Sequence, residues 1–417
     1  MGAAGPSGPV GTILKLRRSA RWLKNPYAVL DGLRERHGPT FWLDLALAGR
    51  ALVTGDPAMI REMTGHPDLD AGRGIAALKE IMGDRSLITL DGPEHAARRR
   101  IVAPLFGREI ERLDGMTVEA TADALREIPP GRPFSLYDVA RRISLLAIVR
   151  LLFGGVAGAE AGRLVDAFLL SFESPWVLFL KPLHVDLGPF SAWGRALRNR
   201  RRLREYLGER IAEHRRGEGP EDAGLARIVR EGRDLPDGEI ATEVLALLLF
   251  GHDTGAATLA WAFAHLHQHP EALARAREDP TYLEACLKES MRLCPVVPHV
   301  TRVARRDLRI GGWDVPAGSR VFPSAYLAQR DPAVFPEPDR FRPERFLAGH
   351  GYEGSYFPFG FSPRTCIGRP FVLRQMTLLT STLLRHANLK LAPGWQCRPE
   401  RRLVLVLPRQ GTRMVTA

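Results

Sequence analysis

A long run of residues with helical periodicity and few charges most constrains what this chain can fold into. From Glu239 to His269 the sequence is compatible with one uninterrupted helix, whose middle reads VLALLLFGHDTGAATLAWAFAHL. At a rise of ~1.5 Å per residue such a helix would extend roughly 45 Å, enough to cross a domain or a membrane. Because the middle is apolar on almost every side, the helix must be buried all round, in lipid or in a protein core.

Polar residues at the centre of this run decide between the two environments. His252, Asp253 and Thr254 lie at its midpoint, and an ionisable side chain at the centre of a bilayer is costly. A buried core helix with a polar interruption is therefore the better interpretation. Such an interruption is where chemistry is to be sought.

A second stretch, FPFGFSPRTCIG at residues 357–368, places a single cysteine between a loop and an apolar run of helical period. The spacing predicts that Cys366 lies just before a helix, with Pro370 in the first turn, where a missing N–H costs least. The free N–H groups and the positive dipole end of a helix stabilise a thiolate. A buried, inert cysteine is one interpretation, and the thiolate ligand of a haem iron is the other.

The cysteine stretch resembles the haem-binding signature of the cytochrome P-450 family, which are haem-thiolate monooxygenases. The family pattern is F-x-x-G-x-R-x-C-x-G. Phe359, Arg364, Cys366 and Gly368 match it, and Ser362 replaces the internal glycine. The resemblance implies that these four matching residues bind haem b (iron protoporphyrin IX) and that Cys366 is the axial ligand of the iron.

The midpoint of the long helix resembles the oxygen-binding helix of the same family. Gly251, Asp253 and Thr254 match its pattern, whereas Phe250 stands where the family usually has Ala or Gly. The resemblance implies that Asp253 relays protons and that the Thr254 hydroxyl holds oxygen or a water molecule.

Phe250 shares a helix face with Asp253 and Thr254, so it is expected to narrow the distal pocket. Its ring either points across the iron or is turned into the pocket wall by a bulge of the helix. Gly251 and Gly255 make bending cheap. We favour the bulge, because a ring directly over the iron would impede oxygen.

A buried ion-pair network is also implied by the resemblance. Glu289 and Arg292 are three residues apart and can pair on one helix face. In the family such a pair joins an arginine from a later P-E-R-F stretch, which here supplies Arg345. The network is expected to be structural rather than catalytic, and sensitive to the loss of any partner.

The last match to the family concerns basic residues that could bind the haem propionates. His95 and Arg99 are four residues apart, so on a helix they form a small cationic clamp or, equally, part of an exposed basic face. The resemblance implies that both bind a propionate, together with Arg302 and Arg364.

The candidates for lining a substrate pocket come from the midpoint of the long helix and from three other regions. These are a glycine-containing loop at 71–90, an apolar segment with three prolines at 171–190, and the residues after Cys294. The second region is interpreted either as a lid over an apolar pocket or as a cover that seals the core. The candidates are Ile75, Leu78, Met82, Phe172, Trp176, Phe179, Phe250, Gly251, Val296, Val297 and His299. Since they are mainly apolar, the expected substrate is an apolar small molecule, for example a lipid, a terpenoid or a polyketide-like compound.

The resemblance extends over nearly the whole chain and implies a mainly α fold with minor β, the triangular prism of the P-450 family. Haem is expected between the long helix and the Cys366 loop. Residues 1–20 are predicted to be a disordered segment, because 1–12 are rich in Gly, Ala and Pro. Residues 21–417 are predicted to form a single domain, with a polar linker at 217–237.

Composition and charge limit the class of protein. Four cysteines at irregular spacing do not indicate a disulfide framework, and the N-terminal residues lack the apolar run of a signal peptide or membrane anchor. A cytoplasmic enzyme is therefore expected. The formal net charge of +12 is spread over scattered arginine clusters, so a nucleic-acid partner is not expected. Solvated helix faces account for most clusters, and a docking face for an acidic electron-transfer protein accounts for others.

Together these features predict a monooxygenase that inserts one oxygen atom from O₂ into the substrate. The chain has no obvious flavin or iron–sulfur domain, so the electrons are expected from a separate ferredoxin or flavodoxin with its NAD(P)H reductase. An isomerase, a dehydratase or a peroxygenase is an alternative, motivated by Phe250 and Gly255. A haem-carrying sensor is a further alternative, against which the Asp253–Thr254 pair speaks.

Overall fold

The computed structural model describes residues 9–46, 49–79, 85–154, 160, 163–167, 185–348, 352, 354–402 and 404–416. The chain divides into two compact units. The first comprises Met1–Gly74, Ala260–Cys366 and Leu391–Arg413, and the second Ile75–Leu259, Ile367–Lys390 and Met414–Ala417. The single domain predicted for residues 21–417 stays a prediction. Each unit is built from three segments that are far apart in the sequence, so no change in composition along the chain marks the two units.

Helices make up most of the described chain. Several begin with a proline in the first turn, preceded by a side chain that caps a free N–H, such as Asn25, Asp56 and Asp279. The α-helices are α1 (Pro9–Lys24), α2 (Pro26–His37), α3 (Pro57–Met63), α4 (Gly92–Val102), α5 (Asp114–Arg126), α6 (Leu136–Phe153), α7 (Ala192–Arg216), α8 (Gly224–Glu231), α9 (Asp237–Gln268), α10 (Pro270–Glu278), α11 (Pro280–Leu293), α12 (Ala325–Ala328) and α13 (Arg369–His386).

The strands are short and form a minor part of the fold. They are β1 (Thr40–Leu45), β2 (Gly49–Thr54), β3 (Leu69–Asp70), β4 (Phe134–Ser135), β5 (Arg302–Ala304), β6 (Leu308–Ile310), β7 (Trp313–Val315), β8 (Arg320–Pro323), β9 (Leu389–Leu391), β10 (Pro399–Arg402), β11 (Leu405–Pro408) and β12 (Arg413–Thr416). A five-stranded sheet has the order β1-β2-β8-β5-β3, with β1 and β2 antiparallel and β8 parallel to β2. The others form the pairs β6–β7 and β10–β11 and the sheet β4-β12-β9.

The helix α9 is the long apolar helix that the sequence predicts. Of the described helices, it is the one long and apolar enough to cross a membrane, but 67% of its most apolar stretch is buried inside the protein. It therefore has the burial of a core helix.

Two regions predicted to lack structure contain helices. Residues 9–24 form α1, although 1–20 were expected to be disordered, because Trp22 is 5% exposed and the Ser19 hydroxyl accepts a hydrogen bond from the N–H of Ala46 at 2.7 Å. The predicted linker at 217–237 contains α8, which buries Leu225 and Ile228. In the sequence, the polar residues that flank α1 and α8 obscure the amphipathic pattern of each helix.

The predicted ion-pair network is present in the first unit. The carboxylate of Glu289 accepts two hydrogen bonds from Arg292, at 2.7 and 2.9 Å, and one from Arg345 at 3.1 Å. The side chains of Glu289 and Arg292 are fully buried. Arg292 also donates to the carbonyls of Gln329 and Pro338, both at 2.8 Å. The network therefore fixes the loop after α12 against α11.

Substituting Glu289 with glutamine is expected to destabilise the protein strongly. The change leaves two buried guanidinium groups without their counter-charge, and the loss of one partner of a buried ion pair costs about 3–5 kcal/mol. The midpoint of urea unfolding should fall accordingly. The control is Arg340→Gln, which removes the exposed pair of Arg340 with Glu337 and should leave the midpoint nearly unchanged. Equal midpoints for the two variants would contradict a structural role of the network.

Candidate active site

The polar interruption of α9 lies in a continuous helix. The Thr254 hydroxyl donates to the carbonyl of Phe250 at 3.2 Å, and helical structure persists from Asp237 to Gln268. The bulge favoured from the sequence is therefore wrong. The reason concerns Gly251, where an added Cβ atom would lie 3.2 Å from the side chain of Ile148 on α6. This glycine permits close packing of two helices rather than a bend.

The carboxylate of Asp253 is held by two side chains of α6. The Tyr137 hydroxyl donates to Asp253 Oδ1, and Arg141 Nε lies 3.3 Å from the same oxygen. Arg141 Nε also lies 3.3 Å from Nε2 of His252, whose Nδ1 is 2.7 Å from the Leu248 carbonyl. The side chain of Asp253 is 16% exposed. It is thus fixed in position by neighbours without being sealed from solvent.

Sequence reasoning missed both of these partners. Tyr137 and Arg141 are four residues apart in α6, LYDVARRISLLAIVRLLF, whose remaining pattern is largely apolar. Two polar residues on one face of such a helix are the signal that could have found them. This pattern does not reveal which residue Tyr137 and Arg141 contact.

A second carboxylate on α9 anchors the segment that precedes α4. Glu243 Oε1 accepts hydrogen bonds from Arg98 Nη1 at 2.6 Å and from the N–H of Leu87 at 2.7 Å. Arg98 also pairs with Glu239 and donates to the Arg85 carbonyl at 3.1 Å. Glu243 Oε2 is buried without a hydrogen-bond partner. Burial raises the pKa of Glu243 to about 7, although Arg98 opposes the shift.

The predicted basic clamp lies on the same helix as Arg98. His95 is 5% exposed, and Arg99 is half-buried. Arg98, which the sequence did not single out, is 3% exposed and neutralises Glu239 and Glu243. His95, Arg98 and Arg99 thus lie within about one turn of α4, and of the three it is Arg98 that pairs with the carboxylates of α9.

The cysteine loop turns back on itself before α13. The N–H of Cys366 donates to the Phe359 carbonyl at 2.9 Å, and the N–H of Arg364 donates to the Phe361 carbonyl at 2.9 Å. Gly360 adopts a φ of 71°, which favours glycine. Cys366 is exposed, and α13 begins three residues later at Arg369.

The other cysteines differ from Cys366 in their surroundings. Burial raises the pKa of Cys286 and Cys294 to about 12 and that of Cys397 to about 11. These three thiols therefore stay protonated at neutral pH. No cluster of three or more His, Cys, Asp or Glu side chains among the described residues could hold a metal ion. Of the four thiols, Cys366 is the exposed one and is therefore the one open to a ligand outside the protein core.

Arg302 lies beside the cysteine loop in the first unit. Its guanidinium carbon is 5.1 Å from the centre of the Phe361 ring, and Nη1 donates to the Thr301 carbonyl at 2.9 Å. Arg302 is 7% exposed. A largely buried cation next to the loop fits the binding of an anionic group such as a carboxylate.

Comparison with known proteins decides the family. A family model described as cytochrome P-450 matches residues 6–415. This chain belongs to the cytochrome P-450 family. It is a haem-thiolate oxidoreductase of the monooxygenase type, and its cofactor is haem b with an axial cysteine thiolate.

The relatives of this P-450 are bacterial. The chain is 31% identical to cytochrome P-450 137 of Mycobacterium tuberculosis over 398 residues, which cover 92% of this chain and 84% of the relative. It is 30% identical to cytochrome P-450 135B1 of Mycobacterium bovis over 432 residues, covering 98% and 89%. A solved structure of cyanobacterial CYP120A1 with retinoic acid bound has a TM-score of 0.79 at 22% identity, covering 95% of this chain and 97% of that one. The fold is therefore confirmed as the P-450 fold.

The candidates for lining the P-450 substrate pocket lie in several parts of the chain, and their role stays a prediction. Ile75 lies in a 3₁₀ helix, Arg73–Leu78, which ends at the candidate Leu78. Val296 and Val297 are half-buried, and Val296 packs against the core of the first unit. Met82, Phe172, Trp176 and Phe179 lie outside the described residues.

His299 contacts aromatic residues of the core. Its ring centre is 4.3 Å from that of Phe322 and 5.5 Å from that of Trp22. Burial lowers its pKa to about 3, so the ring is neutral. The described contacts of the His299 ring are packing contacts with these aromatic residues.

Glu243 should make stability depend on pH. Its pKa is raised on folding, from about 4.5 to about 7, so the folded state holds a proton that the unfolded state has lost. This stabilisation is complete below pH 4.5 and disappears as the pH rises through 7. Relative to Glu243→Gln, the parent should therefore lose about 2–3 kcal/mol of unfolding free energy between pH 5 and pH 8.

The measurement is urea unfolding of both proteins at the two pH values. The matched control is Glu218→Gln, because Arg216 lowers the pKa of the exposed Glu218, which therefore stays charged throughout this window. A constant difference between the parent and Glu243→Gln would contradict the assignment.

Proposed function

We propose that this cytochrome P-450 inserts one oxygen atom from O₂ into an apolar small molecule, using electrons from a separate ferredoxin or flavodoxin. The observation that carries the proposal is the Asp253 carboxylate, held by Tyr137 at the midpoint of an apolar helix and adjacent to Thr254. Reductive use of O₂ consumes protons. An isomerase or a haem sensor has no need of a solvent-accessible proton donor at this place.

The cofactor is held, in this proposal, by residues of the signature stretch and by four cations. Cys366 is the axial ligand, supported by its exposed thiol before α13, and Phe359 and Gly368 complete the cysteine loop. His95, Arg99, Arg302 and Arg364 bind the two propionates, which are costly to bury without counter-charges. When bound, the haem supplies an iron centre to which the thiolate adds electron density, and this favours O–O cleavage.

Proton delivery is assigned to Asp253 and Thr254, with two further side chains that hold the carboxylate. Tyr137 and Arg141 both contact Asp253 Oδ1, so the carboxylate keeps one orientation. Its exposed fraction allows it to take a proton from solvent. The adjacent Thr254 hydroxyl, which donates to the Phe250 carbonyl, then passes a proton towards the oxygen substrate.

The substrate is proposed to be apolar, as the pocket candidates suggest. Phe250 is half-buried on the face of α9 that carries Thr254, four residues away. Since the helix does not bulge, Phe250 is proposed to take space that a smaller residue would leave open to substrate. The retinoic acid bound to the cyanobacterial relative is a molecule of the apolar class proposed here.

The cellular location is proposed to be the cytoplasm. All four cysteines are free thiols, which is usual in a reducing compartment.

Replacing Cys366 with serine should abolish the red-shifted Soret band of the reduced, CO-bound protein, because that band requires a thiolate on the iron. The absorption spectrum of the CO complex is the measurement. Cys286→Ser, Cys294→Ser and Cys397→Ser are the controls and should keep the band. Loss of the band in one of the controls, with its retention in Cys366→Ser, would contradict the ligand assignment.

Replacing Tyr137 with phenylalanine should lower kcat for product roughly tenfold with little change in KM, since a hydrogen bond to a charged group contributes about 1.5–3 kcal/mol. The electrons should instead appear as hydrogen peroxide, which is measured together with NAD(P)H consumption. Tyr206→Phe is the matched control, because Tyr206 lies on α7 and contacts Phe153. If Tyr137→Phe and Tyr206→Phe kept the same coupling of NAD(P)H to product, Tyr137 would not position the relay.

A further inference from the structure

The outward face of α1 carries large apolar side chains that the protein does not cover. Ile13 is 51% exposed, Leu14 48% and Leu16 54%. Single exposed apolar residues are ordinary on protein surfaces. Ile13 and Leu16 are three residues apart and Leu14 follows Ile13, so the three cluster at one end of the helix. Clusters of exposed apolar side chains mark interaction sites.

The helix is attached to the first unit by its opposite face. Trp22 is 5% exposed, and the Arg401 guanidinium carbon lies 5.6 Å from the centre of its ring. Ser19 is 8% exposed and accepts a hydrogen bond from Ala46. The position of α1 is therefore set by Ser19 and Trp22, so its apolar patch cannot be turned inward without breaking these contacts.

The charges of α1 are all of one sign. Its sequence, PVGTILKLRRSARWLK, contains no acidic residue, and the exposed residues after the apolar patch include Arg17, Arg21 and Lys24. Helical periodicity places Ile13, Arg17 and Lys24 on one line along the outward face. Among the described residues, no salt bridge involves a basic side chain of this helix.

We propose that the outward face of α1 binds the surface of an anionic lipid bilayer. The apolar patch enters the boundary between head groups and acyl chains, and the basic second half of the helix contacts the negatively charged head groups. A helix of this kind lies on the membrane and does not span it. The proposal does not depend on the reaction proposed above.

The size and charge of the patch favour lipid over a protein partner. A stable protein interface buries about 800 Å² on each partner, which is more than three side chains of one helix supply. An acidic redox protein would satisfy the basic residues but would leave Ile13, Leu14 and Leu16 unexplained.

A second segment competes for the same role and must be tested separately. In the second unit, Val185, Leu187 and Phe190 are 51%, 61% and 88% exposed, and they precede the arginine-rich helix α7. We assign the lipid contact to α1, because its exposed apolar and basic side chains lie on one helix that has no acidic residue, whereas Val185, Leu187 and Phe190 lie outside α7, which carries three glutamates among its arginines.

Co-sedimentation of the full-length haem-loaded protein with vesicles tests the proposal. Vesicles of phosphatidylcholine mixed with phosphatidylglycerol should bind the protein about tenfold more tightly than vesicles of phosphatidylcholine alone, since each basic residue near an anionic surface contributes appreciably. The triple variant Ile13→Ser, Leu14→Ser, Leu16→Ser should bind the mixed vesicles about tenfold more weakly, because it removes the inserted apolar groups. The double variant Arg17→Gln, Arg21→Gln should lose most of the preference for anionic lipid.

The controls separate α1 from general charge and from misfolding. Val118→Ser removes another exposed apolar side chain, on α5, and Arg201→Gln, Arg202→Gln removes two exposed charges from α7. Both should bind vesicles like the parent. All variants should keep the parent's CO-bound spectrum, which shows that the haem-loaded fold is retained.

Four results would overturn the proposal. The first is a lack of binding to mixed vesicles, and the second is unchanged binding of the triple serine variant. The third is loss of binding in Phe190→Ser, or in the double variant Arg201→Gln, Arg202→Gln. The fourth is a dimer that forms without lipid as the protein concentration rises and that the triple serine variant abolishes. The last would assign the patch to a second copy of this chain. Weaker binding of a ferredoxin by Arg17→Gln, Arg21→Gln, with unchanged vesicle binding, would assign it to a redox partner.

Discussion

The burial of α9 is the constraint on which the second unit depends. An apolar helix of this length must be surrounded by protein, so each polar side chain on it needs a partner from a packed neighbour. Asp253 finds Tyr137 and Arg141 on α6, and Glu243 finds Arg98 on α4. The same packing explains Gly251, where an added Cβ atom would lie only 3.2 Å from the Ile148 side chain on α6. The contacts that pack α6 against α9 are thus the same contacts that position Asp253.

A buried network has the corresponding role in the first unit. Arg292 bonds Glu289 and the Gln329 carbonyl, and the Gln329 side chain donates to the carbonyls of Met291 and Arg292. The Oε1 atom of Gln329 then accepts a hydrogen bond from the N–H of Phe357, where the cysteine stretch begins, at 3.2 Å. The predicted ion pairs therefore support the start of that stretch through one buried glutamine, a link that their spacing in the sequence does not show.

The arginines of this chain have different roles that their number alone does not reveal. Arg98 and Arg292 are buried and compensate carboxylates, whereas Arg17 and Arg21 face outward on α1. A net charge of +12 is consistent with a redox partner, with a membrane surface or with solvated helices. Only the burial of each guanidinium separates an internal counter-charge from a group that is open to a partner.

The sequence alone determined the features that depend on neighbours within a few residues. These include the long apolar helix with its polar midpoint, the cysteine before α13, and the Glu289–Arg292 pair, since helical period and turn chemistry are local. The tertiary structure decided what depends on residues far apart in the chain. Tyr137 meets Asp253 across 116 positions, and Arg98 meets Glu243 across 145. The helices α1 and α8 also needed their buried contacts to be recognised among polar neighbours. Periodicity reports which face of a helix is buried, but the identity of the side chain opposite is set by how the helices pack.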